Sequence, residues 1–176
     1  MSLFIVFLIG ISLSMDAFSL ALAYGTQKLS NKQISILSII VGIYHLIMPL
    51  LGLLVGKKII NLLSIKTNVL VFIVLFLIGI EMIIESFKED AVINKINLWE
   101  MLIFGFAVSI DSFSLGLSLK TIYENYLISA LIFSVLSALF TYIGLKLGKY
   151  INQRVGPIST LIGGITLIII GLFYLV

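Results

Sequence analysis

The chain contains no cysteine, which removes disulfides, thiolate metal sites and thiol nucleophiles together. A metal could be held here only by oxygen, imidazole or thioether. Charge is scarce as well: 11% of the 176 residues are charged and 61% are hydrophobic, at a mean hydropathy of +1.26. A soluble domain of this size has too little interior to hide that much apolar surface, so the composition requires an integral membrane protein. The net charge of +3 resides in short loops, as topology-setting lysines do, and forms no basic patch for nucleic acid. No GxxxxGK[ST] loop is present, which speaks against nucleotide hydrolysis by this chain. The first apolar run lacks the basic flank of a signal peptide and carries Asp16 in its middle, so it reads as a retained helix.

Charge or Asn/Gly/Pro clusters divide the chain into six apolar segments near residues 3 to 24, 33 to 56, 68 to 87, 98 to 119, 127 to 148 and 158 to 175. Each is long enough to cross about 30 Å of hydrocarbon as a helix. The expected fold class is all-α: a polytopic membrane protein of six transmembrane helices in one domain over 1–176. The segment Ser14-Met15-Asp16-Ala17-Phe18-Ser19-Leu20 returns 95 residues later as Ser109-Ile110-Asp111-Ser112-Phe113-Ser114-Leu115. Gly52-x-x-x-Gly56-Lys57 returns as Gly144-x-x-x-Gly148-Lys149, and Ile78-Gly79-Ile80 is loosely echoed by Gly163-Gly164-Ile165. These recurrences imply two three-helix repeats, about 1–90 and about 97–176. Three being odd, the second enters the membrane from the opposite side, the inverted-repeat plan of many secondary transporters.

Inversion has a geometric consequence. Asp16 and Asp111 each lie a few residues past the centre of their own helix, which displaces their Cα atoms to opposite sides of the midplane by about 4 Å each. Side chains lean toward a helix N-terminus, here back toward the midplane, so the two carboxylates can converge if the first and fourth helices are neighbours. Lys28, Lys32, Lys88, Lys95, Lys146, Lys149 and Arg154 outnumber Lys57, Lys58, Lys66 and Lys120 on the opposite side. That excess makes the first side cytoplasmic and leaves both termini outside.

An acid at bilayer depth costs at least about 2.5 kcal/mol on insertion scales and reads first as part of an ion or substrate path. Asp16 shares a helix face with Ser12 and Ser19, and Asp111 with Ser114 and Ser118, by their spacing. Such faces offer the oxygen ligands suited to Mn²⁺, Mg²⁺ or Ca²⁺. The plain alternative is a structural aspartate bonded to serines where helices pack, but both copies would have to bear the insertion cost. Glu81 and Glu85, at i and i+4, resist simultaneous ionisation or share a cation. Glu85 could equally snorkel toward the interface beside Lys88, and Glu81 has no echo in the last helix. His45, the single histidine, is a candidate nitrogen ligand or proton relay, against the plainer reading of a hydrogen-bonded core imidazole. Pro49 frees a backbone carbonyl one turn earlier. Met15, Met48 and Met82 read as packing, the paired glycines as close helix faces, and Trp99, Tyr123 and Tyr126 as interfacial belts.

The combination Ser-Met-Asp-Ala-Phe-Ser at 14 to 19, Tyr-His-Leu-Ile-Met-Pro-Leu-Leu-Gly at 44 to 52 and Ser-Ile-Asp-Ser-Phe-Ser-Leu-Gly-Leu-Ser at 109 to 118 resembles the MntP-type manganese efflux pump family. The likeness runs along essentially the whole chain. It implies a bacterial cytoplasmic-membrane exporter of Mn²⁺ within the wider lysine-exporter superfamily, with Asp16 and Asp111 matching the family's two membrane-embedded aspartates. Some members carry a glutamate where Glu85 stands; Glu81 matches no family acid. A related sporulation-associated membrane group shares the first-helix motif, and the His45 to Pro49 segment favours the manganese group.

The expected function is therefore secondary-active Mn²⁺ export by alternating access, with Asp16 and Asp111 as ligands and Glu85, His45, backbone carbonyls or serine hydroxyls completing the shell. Moving a divalent ion out against an inside-negative potential costs roughly 4.6 kcal/mol per 100 mV, so the export needs a driving ion, and proton antiport is the simple choice. Mn²⁺ is then a substrate and no cofactor is permanently bound; the partners are the bilayer and protons, with a homodimer left open. Three alternatives stand beside this one: export of another cation or a cationic amino acid, a non-transporting scaffold, and an intramembrane aspartyl protease. Against the protease, the two aspartates occupy equivalent contexts and neither lies in a Gly-x-Gly-Asp signature.

Overall fold

The computed structural model describes residues 3–27, 29–55, 60–87, 96–113, 115–116 and 125–173, with the side chains of 55, 60–68, 70, 71, 74 and 85 outside that description. Every described element is helical. In order they are α1 (Leu3–Tyr24), α2 (Asn31–Val55), α3 (Ile60–Ser86), α4 (Leu98–Val108), α5 (Tyr126–Val155) and α6 (Pro157–Phe173). A short helical stretch at 110–113 succeeds α4 after a turn at Ser109.

The helix ends obey local chemistry. The chain enters α2 through a capping box: the Ser30 N–H donates to Gln33 Oε1 at 2.8 Å and the Gln33 N–H to Ser30 Oγ at 3.2 Å. That reciprocal pair starts the helix two residues before the expected 33. α3 begins at Ile60 rather than 68, and α5 continues to Val155 rather than 148. In α5 the extension includes Lys149, Gln153 and Arg154, good helix formers that carry the helix past the apolar stretch on which the expectation rested. α5 stops at Gly156, whose φ of 71° only glycine adopts freely, and Pro157 opens α6 directly. The largest departure is in the fourth segment, expected as one helix over 98 to 119. Ser109 Oγ donates to Gly105 O at 2.6 Å, while the Ser109 N–H moves to Phe106 O at 3.1 Å. The backbone tightens there into a 3₁₀-like turn just ahead of Asp111.

The outer surface is apolar where a water-soluble bundle would be polar, and the interior mixes apolar packing with buried hydroxyls. Stripes of large apolar residues face outward, such as Ile39, Ile43, Ile47 and Leu51 on α2 and Leu131, Val135, Leu139, Ile143 and Leu147 on α5. Ser14, His45, Ser109, Ser112, Ser129, Ser137 and Thr141 are buried. Surrounding hydrocarbon rewards that arrangement and water would penalise it. α1, α2 and α5 are each long and apolar enough to cross a bilayer, so the all-α class stands and the molecule belongs to the membrane proteins. Trp99 and Tyr126 are exposed near helix starts, as interfacial aromatics are; Tyr123 lies outside the described residues.

Packing depends on glycines that let backbones meet. α1 lies along α5, where a β-carbon on Gly144 would stand 2.7 Å from Phe18 O and 3.0 Å from Ala21 Cβ. One on Gly10 would stand 2.8 Å from Leu136 and 3.4 Å from Ile132. α2 lies against α4 and its continuation in the corresponding way: Gly52 abuts Phe113 O and Gly116, and Gly105 abuts Ile40 and Tyr44. α3 and α6 cross where Gly79 and Gly164 each face the other's carbonyl oxygen. α2 meets α5 at Gly42, Ser134 and Ala138. Met48 and Met82 are buried packing residues, while Met15 is exposed. Tyr24 and Phe104 stack with ring centroids 4.4 Å apart, tying the end of α1 to the middle of α4.

A branched side chain at the α1–α5 crossing must push the helices apart. Gly144→Val is expected to lower stability by about 1–3 kcal/mol, whereas the outward-facing Leu139→Val should stay within about 0.5 kcal/mol. Thermal melting of purified protein in detergent reads both; equal midpoints for the two variants would contradict the close packing.

Candidate functional site

The two aspartates are brought together. Asp16, on α1, and Asp111, in the stretch after the Ser109 turn, line one cavity of about 440 Å³ with Leu8, Ile9, Ser12, Leu13 and Leu115. The Tyr24–Phe104 stack fixes how this comes about. From it the chain runs back eight residues along α1 to Asp16 and forward seven to Asp111, so α1 and α4 are antiparallel neighbours. Apolar side chains form most of the wall, and the two carboxylates and the Ser12 hydroxyl are its polar groups. A six-water hydration shell occupies about 180 Å³ at about 30 Å³ per water. The cavity therefore admits a divalent ion that still holds water, and carboxylate oxygen is hard-ligand chemistry of the kind that suits Mn²⁺, Mg²⁺ or Ca²⁺.

Two residues before each aspartate, a buried serine anchors its helix to a neighbour. Ser14 Oγ donates to Gly10 O at 2.6 Å and lies 3.2 Å from Ser137 Oγ on α5. Ser109 Oγ donates to Gly105 O, and lies 3.0 Å from His45 Nδ1 on α2. His45 Nδ1 also lies 2.9 Å from Val41 O. A carbonyl oxygen can only accept, so the ring proton is on Nδ1, shared between Val41 O and Ser109 Oγ. The i−4, i+3 and i+7 positions around each acid do not include these serines, so spacing along one helix face misses them. A sequence signal for them exists nonetheless, since both motifs carry serine at i−2.

A family model described as "Putative manganese efflux pump" matches residues 28–175. The chain belongs to that family. The family is one of transporters, not enzymes. Among curated relatives, a protein named "Putative manganese efflux pump MntP" from Bacillus pumilus is 36% identical over 162 residues, covering 92% of this chain and 88% of the relative. One of the same name from Geobacillus thermodenitrificans is 34% identical over 166 residues, covering 94% and 91%. Another from Oceanobacillus iheyensis is 33% identical over 174 residues, covering 97% and 94%. No solved structure matches.

Within this member of the manganese efflux pump family, the expected ligands separate. Asp16, Asp111 and Ser12 share the cavity, but His45 is fully buried between α2 and the Ser109 turn and is not part of the cavity lining. Glu81 lies on an exposed face of α3, also away from that lining. Among the described residues no three acidic or histidine side chains cluster as a ready-made metal cage. Ser19 bonds back to Met15 O at 2.9 Å and lines a different, mostly apolar cavity of about 260 Å³ with Thr26, Ser159 and Thr166. Ser114, Ser118 and the side chain of Glu85 lie outside the described residues.

Because the chain is free of cysteine, single thiols report directly on the cavity. Ser12→Cys should react readily with a membrane-impermeant maleimide, and Ser14→Cys, buried one face away, should not. A Ser12→Cys that labels as slowly as Ser14→Cys would show that the cavity around Asp16 is closed to water.

Proposed function

We propose that this protein exports Mn²⁺ across the bacterial cytoplasmic membrane, with Asp16 and Asp111 holding the ion in transit. The observation that carries the reading is the shared cavity: two carboxylates from motifs 95 residues apart line one space large enough for a partly hydrated divalent ion. Membership of a family described by manganese efflux supplies the cargo. Ser12 and ordered water complete the coordination, which fits Mn²⁺ as an ion that accepts carboxylate, hydroxyl and water oxygens.

The mechanism we infer is alternating access by two inverted three-helix repeats, α1 to α3 and α4 to α6, making six spans in one domain with both termini outside. Its support is a set of matched contacts. Gly144 on Phe18 corresponds to Gly52 on Phe113, Gly10 on Ile132 and Leu136 corresponds to Gly105 on Ile40 and Tyr44, and Gly79 and Gly164 face one another. Antiparallel α1 and α4 fit repeats that enter the membrane from opposite sides. Export against the membrane potential must be driven, and we assign the drive to protons. A carboxylate that releases a metal can take a proton, and return of the protonated pair completes the cycle.

In a strain lacking its own manganese exporter, Asp16→Asn and Asp111→Asn should each cut Mn²⁺ export by at least about tenfold, since removing even a supporting partner of a metal ligand costs that much. Both variants should insert at wild-type levels. Wild-type cellular manganese in both would end the ligand assignment. In inverted vesicles, dissipating the proton gradient with a protonophore should stop Mn²⁺ accumulation; accumulation that persists unchanged would remove protons as the driving ion.

A further inference from the structure

The two halves of the molecule treat their aspartates differently, and His45 is where they part. Ser14 and Ser109 stand at corresponding positions, and both donate to the carbonyl four residues back, at 2.6 Å in each case. That bond alone does not interrupt a helix, because α1 runs unbroken from Leu3 to Tyr24 through Ser14 and Asp16. α4, by contrast, ends at Val108, and Asp111 lies in the first turn of the short helical stretch beyond Ser109. The Ser112 N–H bonds to Ser109 O at 3.1 Å, a second tight i−3 link. The difference lies in the group facing each serine across the helix interface. Ser14 meets the hydroxyl of Ser137, and Ser109 meets the imidazole of His45 at the equivalent point of α2.

An imidazole is larger than a hydroxymethyl group, and this one cannot retreat. Its Nδ1 is fastened to Val41 O on its own helix, the ring is fully buried, and α2 is held against Phe113 and Gly116 by Gly52 and by the packing of Gly116 on the Pro49 backbone. The segment that gives way to accommodate the ring is therefore the Ser109 backbone, which turns there rather than continuing α4. We propose that His45 is the positioning residue for Asp111: by bonding and wedging Ser109 it holds the turn that aims this carboxylate into the cavity, without touching the ion itself. The proposal rests on the ligand role assigned above to Asp111. It makes the His45–Ser109 contact a determinant of Mn²⁺ affinity.

Vesicle transport assays with Mn²⁺ separate this from the other roles His45 could have. Ser109→Ala and His45→Leu each break the contact and should raise the KM for Mn²⁺ several-fold, with the maximal rate changed much less. Their combination should raise KM no further than either alone, because both remove one interaction. His45→Asn keeps an N–H donor near the place of Nδ1 and should recover most of the wild-type KM. Ser137→Ala, the counterpart in the other half, should leave KM near wild type. A silent Ser109→Ala overturns the proposal, as does a His45→Asn as defective as His45→Leu, which would make the imidazole itself the ligand. Asp111→Asn is assayed alongside. If it exports normally the site reading has failed; if it is inactive while His45→Leu and Ser109→Ala keep the wild-type KM, only the positioning role has failed. Should His45→Leu not insert, Ser109→Ala and His45→Asn decide the matter between them.

Discussion

Helices in a bilayer gain nothing by burying oil against oil, so the lipid leaves them only contact, hydrogen bonds and shape to hold together. This structure meets that constraint with glycine. Where Gly52, Gly144, Gly79 and Gly164 sit, neighbouring backbones approach to distances at which a β-carbon would collide with a carbonyl oxygen. The helix pairs α1 with α5, α2 with α4 and its continuation, and α3 with α6 are thereby fixed close enough for small polar groups to reach across. The Ser14–Ser137 and Ser109–His45 contacts exist because the glycines bring the helices within hydrogen-bond reach.

The same constraint explains why a cavity survives at the aspartates. Elsewhere the interfaces are closed by small residues and filled by Phe104, Phe133, Leu75 and Met82, all fully buried. Between α1 and the stretch after Ser109 the packing opens around Asp16 and Asp111. A carboxylate pressed directly into hydrocarbon would lose its hydration without compensation, and a water-bearing space offsets that loss. The carboxylates and the space around them belong together: the open space leaves room for the hydration that hydrocarbon would deny the acids.

Much of this was legible in the residues. The repetition of Ser-x-Asp-x-Phe-Ser announced two matched carboxylates, and the two line one cavity. The boundaries of α1 match the apolar run residue for residue, because no glycine-rich, proline or charge cluster breaks the run before the Gly25 to Lys28 segment and the single Asp16 is carried within the helix. Helix ends elsewhere were set by forces that hydropathy does not register: the reciprocal bonds of Ser30 and Gln33, the positive φ of Gly156, and the helix formers Lys149, Gln153 and Arg154 that extend α5. The Ser109 turn was hidden for a different reason. Its cause lies in α2, 64 residues away in sequence, and no local pattern in the fourth segment distinguishes Ser109 from Ser14. His45 was singled out as unusual, yet its sequence context could not tell a ligand from a side chain that supports one.

The inequality between Ser137 and His45 reaches beyond the placement of one carboxylate. A pump with two interchangeable halves would find its inward-facing and outward-facing forms degenerate, resting equally in either when empty. On the alternating-access reading proposed above, a ring at one of the two matched contacts and a hydroxyl at the other would lift that degeneracy. A difference of only about 1.4 kcal/mol would already park about ten molecules in one orientation for each in the other. The unladen protein would then spend most of its time waiting on one face of the membrane, and the direction of that bias would set how much free ion is needed before traffic begins.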